Sequence, residues 1–321
     1  MSRFAKDNAS ASLVSQRALV SGGTQGIGAG IALRFAQAGA EVYIIGRNKE
    51  KGEGVIKQLI AATEELKKRN GESIQVDAQH AFFKADLSDV GEIKRVIDEV
   101  QQRAGSKGID WVVQCQGGPP NGRYVPTPQG RDFGWSVQVL SRFAIAHLLT
   151  QKKLVKRGLF FIAAPASGGS KPLDTDDLDF TKAHQQGTFK DGYLSIYYQG
   201  RRDSSQLDSV TLSLAERQPN LAVAHLFPGF VSTDASSNSK LPFPIPQISH
   251  FLGPWVGQKP GPGGYAEAPV HLAAHSEGQK FLRLGEGNFF NERLKRLEPS
   301  TNVREKSVRE KVWSKLESYL Q

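Results

Sequence analysis

A doubly wound α/β fold built on a parallel sheet is what this chain of 321 residues predicts. Three observations carry that expectation. Short apolar runs of strand length alternate with segments of helical periodicity through most of the chain. The runs are apolar nearly throughout, as suits strands covered on both faces. A glycine-rich turn, Ser21-Gly22-Gly23-Thr24-Gln25-Gly26-Ile27-Gly28, joins the first run to the first periodic segment.

The elements follow in order. Residues 17–21 read as a strand, and 27–38 as a helix on the spacing of Ile27, Ile31, Phe35 and Ala38. Strand 41–45 precedes a helix over 51–69, and strand 80–83 precedes one over 90–103. Strand 110–113 leads to a long helix over 132–149. Strand 159–162 is followed by a helix from about 204 to 216 and by strand 221–225. Residues 15–318 thus form one Rossmann-type domain, with 1–14 as an N-terminal tail. Its ligands are expected beyond the carboxyl ends of the strands. A loop, Gly117-Gly-Pro-Pro-Asn-Gly122, follows the fourth strand. A Pro/Gly-rich cap over 234–264 is expected beside the mouth of the site.

The glycine turn has a chemical reading. Glycines permit a tight bend and let backbone N–H groups approach a pyrophosphate at a helix N-terminus. The alternative is a turn that only lets helix and strand pack closely. Composition narrows the partners. Lysine and arginine total 41 against 32 acids, a net charge of +9. The excess gathers at Lys67-Lys68-Arg69, where cations complement a helix dipole, and in the last thirty or so residues. These read as solvated faces. Without aromatic interleaving or a known motif they do not point to nucleic acid. The single cysteine, Cys115, excludes an internal disulfide and a cysteine metal cluster, and fits a reducing compartment. His271 and His275 lack an accompanying acidic pattern, and the acids Asp174, Asp176, Asp177 and Asp179 read as a loop and helix cap, so no metal is expected. With no bilayer-length apolar run and a polar N-terminus, a soluble cytoplasmic protein without a membrane span is expected.

The turn resembles the Thr-Gly-x-x-x-Gly-x-Gly of the short-chain dehydrogenase/reductase family, with Ser21 in place of threonine. Other segments are similar in order and spacing. Asp86-Leu87 resembles the pair that contacts adenine. Val113-Gln-Cys-Gln-Gly117 stands where the family has Asn-Asn-Ala-Gly. Pro228-Gly-Phe-Val-Ser-Thr233 is similar to the loop that holds the nicotinamide carboxamide. Gly287-Asn-Phe-Phe290 and the terminal helix with Trp313 resemble the tail of the retinol-dehydrogenase-like branch. The resemblance implies dinucleotide contacts from Ser21, Gly22, Thr24, Gln25, Gly26, Ile27 and Gly28 at the phosphates. It adds Arg47 and Asn48 after the second strand, then Asp86, Leu87, Gln116 and Gly117, and finally Pro228, Gly229, Phe230 and Thr233.

Cofactor choice is argued at the end of the second strand. NAD-selective sites place an acid there, whereas this chain reads Gly46-Arg47-Asn48. A guanidinium pairs well with a 2′-phosphate, so NADP(H) is preferred over NAD(H). The alternative is an arginine that merely begins a helix.

The reaction end departs from the family. Its members use a Tyr-x-x-x-Lys pair, a serine and a central-helix asparagine. Here Ala163 or Ala164 stands at the serine position, with Ser167 farther along, and Gln138 replaces the asparagine. Phasing the following helix on Leu207, Val210 and Leu214 puts Gly200 and Ser204 at the tyrosine and lysine positions. Counting back from Pro228 gives Tyr198 and Arg202, but turns Asp208 inward with no evident partner. Both phases stay open, and neither supplies the lysine. The candidate catalytic pair is Tyr198 with Arg202, with Tyr197 and Gln138 as alternates. An arginine can lower a phenol's pKa but cannot relay its proton. The resemblance implies an NADP(H)-dependent oxidoreductase acting on a small-molecule carbonyl or alcohol, assembled as a homodimer or homotetramer. The rival is a diverged member that senses nucleotide or catalyses a non-redox isomerisation or cyclisation.

Overall fold

A computed structural model describes residues 3–70, 77–232 and 257–321. Seven parallel strands make one sheet in the order β3-β2-β1-β4-β5-β6-β7. They are β1 Arg17–Ser21, β2 Glu41–Gly46, β3 Ala81–Lys84, β4 Ile109–Gln114, β5 Val155–Ile162, β6 Ala222–Leu226 and β7 Gly287–Phe290. The chain winds outward to β3, crosses back over β2 and β1, and continues from β4 the other way. Strand order therefore reverses between β1 and β4, where such sheets open a crevice for ligands.

Helices α1 Gly26–Gln37, α2 Lys49–Asn70 and α3 Val90–Ala104 fall where the periodicity places them. The long central helix, α4, runs over 133–151 but is not uniform: a π turn, Ser136–Leu140, interrupts it between Phe133–Trp135 and Ser141–Gln151. Helix α5, Tyr193–Arg217, starts well before residue 204. Its first turns mix tyrosines, arginines and Gly200, which carry no clean apolar stripe. Helices α6 Glu267–Ala274 and α7 Lys306–Ser318 complete the layers. The sequence reading missed β7, because only two of its residues, Phe289 and Phe290, are apolar.

Alternate strand residues point to opposite faces and build two cores. Leu19, Tyr43 and Phe161 pack with Ile97, Phe143, Leu207 and Trp313 on the α3–α4–α5 side. Val20, Ile44 and Phe160 pack with Ile31, Phe35, Leu59 and Val270 on the α1–α2–α6 side. Residues 3–14 are not a free tail. Phe4 and Leu13 are buried, and Asn8 Nδ2 donates to the Glu267 backbone carbonyl (2.8 Å) and to Glu267 Oε2 (2.9 Å). Glu267 in turn pairs with buried Arg34 at 3.0 Å, so the segment is held by a satisfied polar cluster. Most of the expected cap, including 234–256, lies outside the described residues. Of its remainder, Pro260 lies against α1, where a Cβ on Gly30 would come 2.5 Å from the Pro260 carbonyl oxygen. Among the described residues no helix is long and apolar enough to cross a membrane.

Candidate functional site

At the carboxyl end of β1 the chain turns through Gly22 (φ +70°) and Gly26 (φ +56°), a left-handed backbone that glycine adopts without strain. Close approach reinforces the choice. A Cβ on Gly22 would lie 2.6 Å from the Gln116 backbone nitrogen, and one on Gly28 would lie 2.2 Å from the Gly22 carbonyl oxygen. Gln25 occupies the N-cap of α1 without capping it. Its side chain accepts instead from Lys51 Nζ at 2.6 Å. The first N–H groups of a twelve-residue helix thus face the crevice unspent by a cap, with the positive end of the dipole behind them.

A buried polar ladder holds the turn from below. Ser21 Oγ donates to Gln116 Oε1 (2.6 Å). Gln116 Nε2 donates to Gln114 Oε1 (3.1 Å) and to Ser141 Oγ (2.9 Å), and Ser141 Oγ donates to the Val137 carbonyl (2.6 Å). Gln116, expected at the ligand, is thus 5% exposed and braces β1, β4 and α4.

The expected adenosine side is compact. A Cβ on Gly46 would meet Thr24 Cγ2 at 2.4 Å, so the end of β2 rests directly on the turn. Arg47 is exposed, its guanidinium 5.7 Å from the Phe133 ring centroid. Asn48 Oδ1 accepts from the Lys51 backbone N–H (2.8 Å) and so starts α2. Asp86 Oδ1 accepts from the Ser88 backbone and hydroxyl at 2.9 and 2.8 Å, while Leu87 is buried in the core.

The expected reaction end includes the π turn, a local widening of the helix that recurs at functional positions. It carries Gln138, whose Oε1 is buried without a partner among the described residues. Gly117 (φ +99°) makes room for that oxygen, since a Cβ there would sit 2.0 Å away. Arg142, missed by the sequence reading, is fully buried. It donates to the Gln138 carbonyl (2.7 Å) and to the Ile162 carbonyl at the end of β5 (2.9 Å). Burial pulls its guanidinium down to about 10, which leaves it charged at neutral pH.

The Tyr198 and Arg202 side chains go separate ways. Arg202 is buried, bonded through Nε to Asp203 (2.9 Å), within 3.5 Å of Asp132 and stacked on Phe180. Burial raises the pKa of both Asp132 and Asp203. Tyr198 is 41% exposed. The tyrosine–arginine pair that forms is the neighbouring one: Arg201 Nη1 donates to Tyr197 Oη at 2.5 Å, while Arg201 Nε holds the Gly168 carbonyl. Gly200 faces Pro120, and Ser204 Oγ donates to the Ala164 carbonyl (2.6 Å) while accepting from Ser167 N–H (2.9 Å). Ser167 Oγ is turned to the Pro165 carbonyl.

The objection to burying Asp208 fails. It is fully buried and fully partnered, by His225 Nδ1 (2.8 Å), the Ser300 backbone and hydroxyl (2.8 and 2.6 Å) and Ala166 N–H (3.0 Å). Leu207, Val210 and Leu214 are buried as well, so α5 is enclosed on both phases and its periodicity could not choose between them.

Beyond β6, Gly229 turns at φ +68°, and Gln258 Nε2 donates to the Pro228 carbonyl (2.8 Å). Phe230 is 84% exposed at this edge. Thr233 lies outside the described residues. The acidic stretch behaves as a loop and cap: Asp177 accepts from the Lys182 and Ala183 backbones. Among the described residues no cluster of histidine, cysteine and acids could hold a metal.

The family model for short chain dehydrogenases matches residues 16–133, which contain the turn, the end of β2 and the β4 loop. Glucose 1-dehydrogenase of Gluconobacter oxydans is 36% identical over 103 residues, 32% of this chain and 33% of that protein. Oxidoreductase AN1596 of Emericella nidulans is 24% identical over 246 residues, 76% of this chain and 66% of that one. The chain therefore matches about a third to two thirds of the length of these curated relatives. A short chain dehydrogenase of Burkholderia cenocepacia, solved in complex with NADP, superposes with a TM-score of 0.57 at 20% identity, covering 87% of this chain and 98% of that one. A 3-ketoacyl-(acyl-carrier-protein) reductase of Brucella melitensis, solved with NADH, gives 0.57 at 19% identity over 87% and 97%. Glycine turn, strand order and matched segment agree: residues 16–133 are similar to the short chain dehydrogenases, and the sheet shares the fold of these solved structures.

Proposed function

We propose that this protein is an NADP(H)-dependent oxidoreductase that interconverts a carbonyl and an alcohol on a small, largely apolar substrate. The observation that carries the reading is the turn itself. Gly22 and Gly28 leave no room for a Cβ, and the uncapped N-terminus of α1 points into the crevice where strand order reverses. That donor set fits a pyrophosphate. NADP(H) is favoured because Arg47, which lacks any ion pair among the described residues, stands where NAD-selective sites place an acid.

The cofactor supplies the hydride when bound, and this chain's residues do the rest. Ser21, Gly22, Thr24, Gly26, Ile27 and Gly28 form the phosphate side. Asp86 and Leu87 border adenine. Gly117, Pro228, Gly229 and Phe230 border the nicotinamide. Tyr198, open to the mouth, delivers the proton to the carbonyl oxygen, with Tyr197 beside Arg201 as the alternate. Arg202 acts through its carboxylate partners as a positioning residue that ties α5 to α4. Gln138 remains the alternate on α4, its Oε1 buried and unpartnered beside Gly117. The same reading carries a cytoplasmic homodimer or homotetramer, to be checked by sedimentation.

The test is a thermal-shift titration with NADPH and NADH, followed by NADPH oxidation on a carbonyl panel. Ligand at a hundred times its dissociation constant adds about 2.7 kcal/mol of stability. Absence of any shift removes the nucleotide reading, and a shift without turnover on the panel removes the redox reading. Tyr198→Phe is expected to abolish turnover while keeping the shift. The reverse pattern, loss in Tyr197→Phe alone, transfers the proton to Tyr197.

A further inference from the structure

We propose that Lys51 is a second cation for the 2′-phosphate of NADP(H), delivered to the phosphate turn by Gln25. This rests on the NADP(H) reading above and names a specificity residue that the family motifs do not mark in this chain. A phosphate monoester carries close to two negative charges at neutral pH, and one guanidinium balances one of them. The end of β2 provides that first charge in Arg47.

Three contacts bring the second charge to the same place. Gly46 rests on Thr24, which sets Arg47 and Gln25, the next residue of each strand-end segment, on either side of one junction. Asn48 caps α2 through the Lys51 backbone N–H (2.8 Å), which fixes the first turn of that helix. The Lys51 side chain then returns to the turn, where its ammonium donates to Gln25 Oε1 at 2.6 Å.

The charge state of the pair matters more than the bond. Gln25 is neutral, so the contact orients Lys51 without cancelling it. Among the described residues no carboxylate lies within ion-pair distance of Lys51 or of Arg47. Lys49, two residues away, differs: Glu53 already lies 3.7 Å from its ammonium. Two uncompensated cations thus flank the junction of β2 and the glycine turn, and a dianion would satisfy both. Because both side chains are exposed, this arrangement serves ligand recognition without stabilising the fold appreciably.

Equilibrium titrations of the full chain with NADPH and NADH, and competition by 2′-AMP against 5′-AMP, test the assignment without turnover. Lys51→Ala is expected to weaken NADPH and 2′-AMP about tenfold, the usual range for one charge-assisted bond to phosphate. NADH and 5′-AMP should change by less than about twofold, since they lack the group that Lys51 meets. Gln25→Ala should move affinities the same way by a smaller factor, and Lys51→Arg should keep the preference. Lys68→Ala, a distant charge at the other end of α2, controls for net charge. Unchanged NADPH affinity in Lys51→Ala, or equal loss for both nucleotides, overturns the role of Lys51 alone. Wild-type protein that binds NADH as tightly as NADPH and ignores 2′-AMP overturns the whole 2′-phosphate site, Arg47 included.

Discussion

Replacing Asp208 with alanine removes the hub that binds the reaction-side loop to the rest of the domain. Its carboxylate accepts four hydrogen bonds, from His225 Nδ1, Ser300 N–H, Ser300 Oγ and Ala166 N–H, at 2.6 to 3.0 Å. The Ser300 hydroxyl can rotate, leaving three fixed donors without an acceptor in a buried site. Each orphaned donor costs about 1–3 kcal/mol, and partial relaxation brings the sum to about 3–5 kcal/mol. Against the roughly 5–15 kcal/mol of an ordinary domain that is a large fraction. Urea unfolding should therefore show a sharply lowered midpoint with little change in slope. Ser300→Ala, which removes one donor to Asp208 and the acceptor of the buried Gly168 N–H (3.0 Å), should cost less, about 1–3 kcal/mol. A loss below about 1 kcal/mol in Asp208→Ala would refute the claim that this carboxylate organises the loop.

Three other outcomes are expected. Gly28→Ala, whose Cβ would press on a backbone oxygen at 2.2 Å, should abolish the nucleotide-induced thermal shift, and a wild-type shift would contradict the cradle. Burial lowers the pKa of His225, and likewise of His80, His147 and His271, below the ordinary 6.5. The unfolded chain then binds more protons at these histidines just below pH 6.5, so they should lower urea midpoints as pH drops from 7 toward 5, a fall that the burial-raised Asp132 and Asp203 offset in part. Glu267→Ala strips Arg34 of its partner and Asn8 of an acceptor; it should cost about 3–5 kcal/mol and open residues 3–14 to limited proteolysis.

The glycine turn and the wound sheet were legible because their signals are contiguous. The turn from Ser21 to Gly28 announces its own geometry, and apolar strands flanked by periodic helices leave few arrangements other than a wound parallel sheet. The same locality made Arg47 readable at the end of β2. The packing of 3–14 was not legible because its partner Glu267 stands 259 positions from Asn8.

The reaction half depends on meetings between distant residues. Asp208 finds Ser300 ninety-two positions away, and Arg142 spans from α4 to the end of β5. Helix α5 is buried on both phases, so a single apolar stripe could not set its rotation. Whether an arginine meets a tyrosine or a carboxylate is decided by that rotation: Arg201 reaches Tyr197, and Arg202 reaches Asp203 and Asp132. By itself, then, the sequence determined the fold class and the glycine turn, since both rest on short-range sterics and burial periodicity. Tertiary packing alone decided which charges are spent inside the protein and which, as with Arg47 and Lys51, have no carboxylate partner among the described residues, because pairing of charges is a long-range contact that no local pattern encodes.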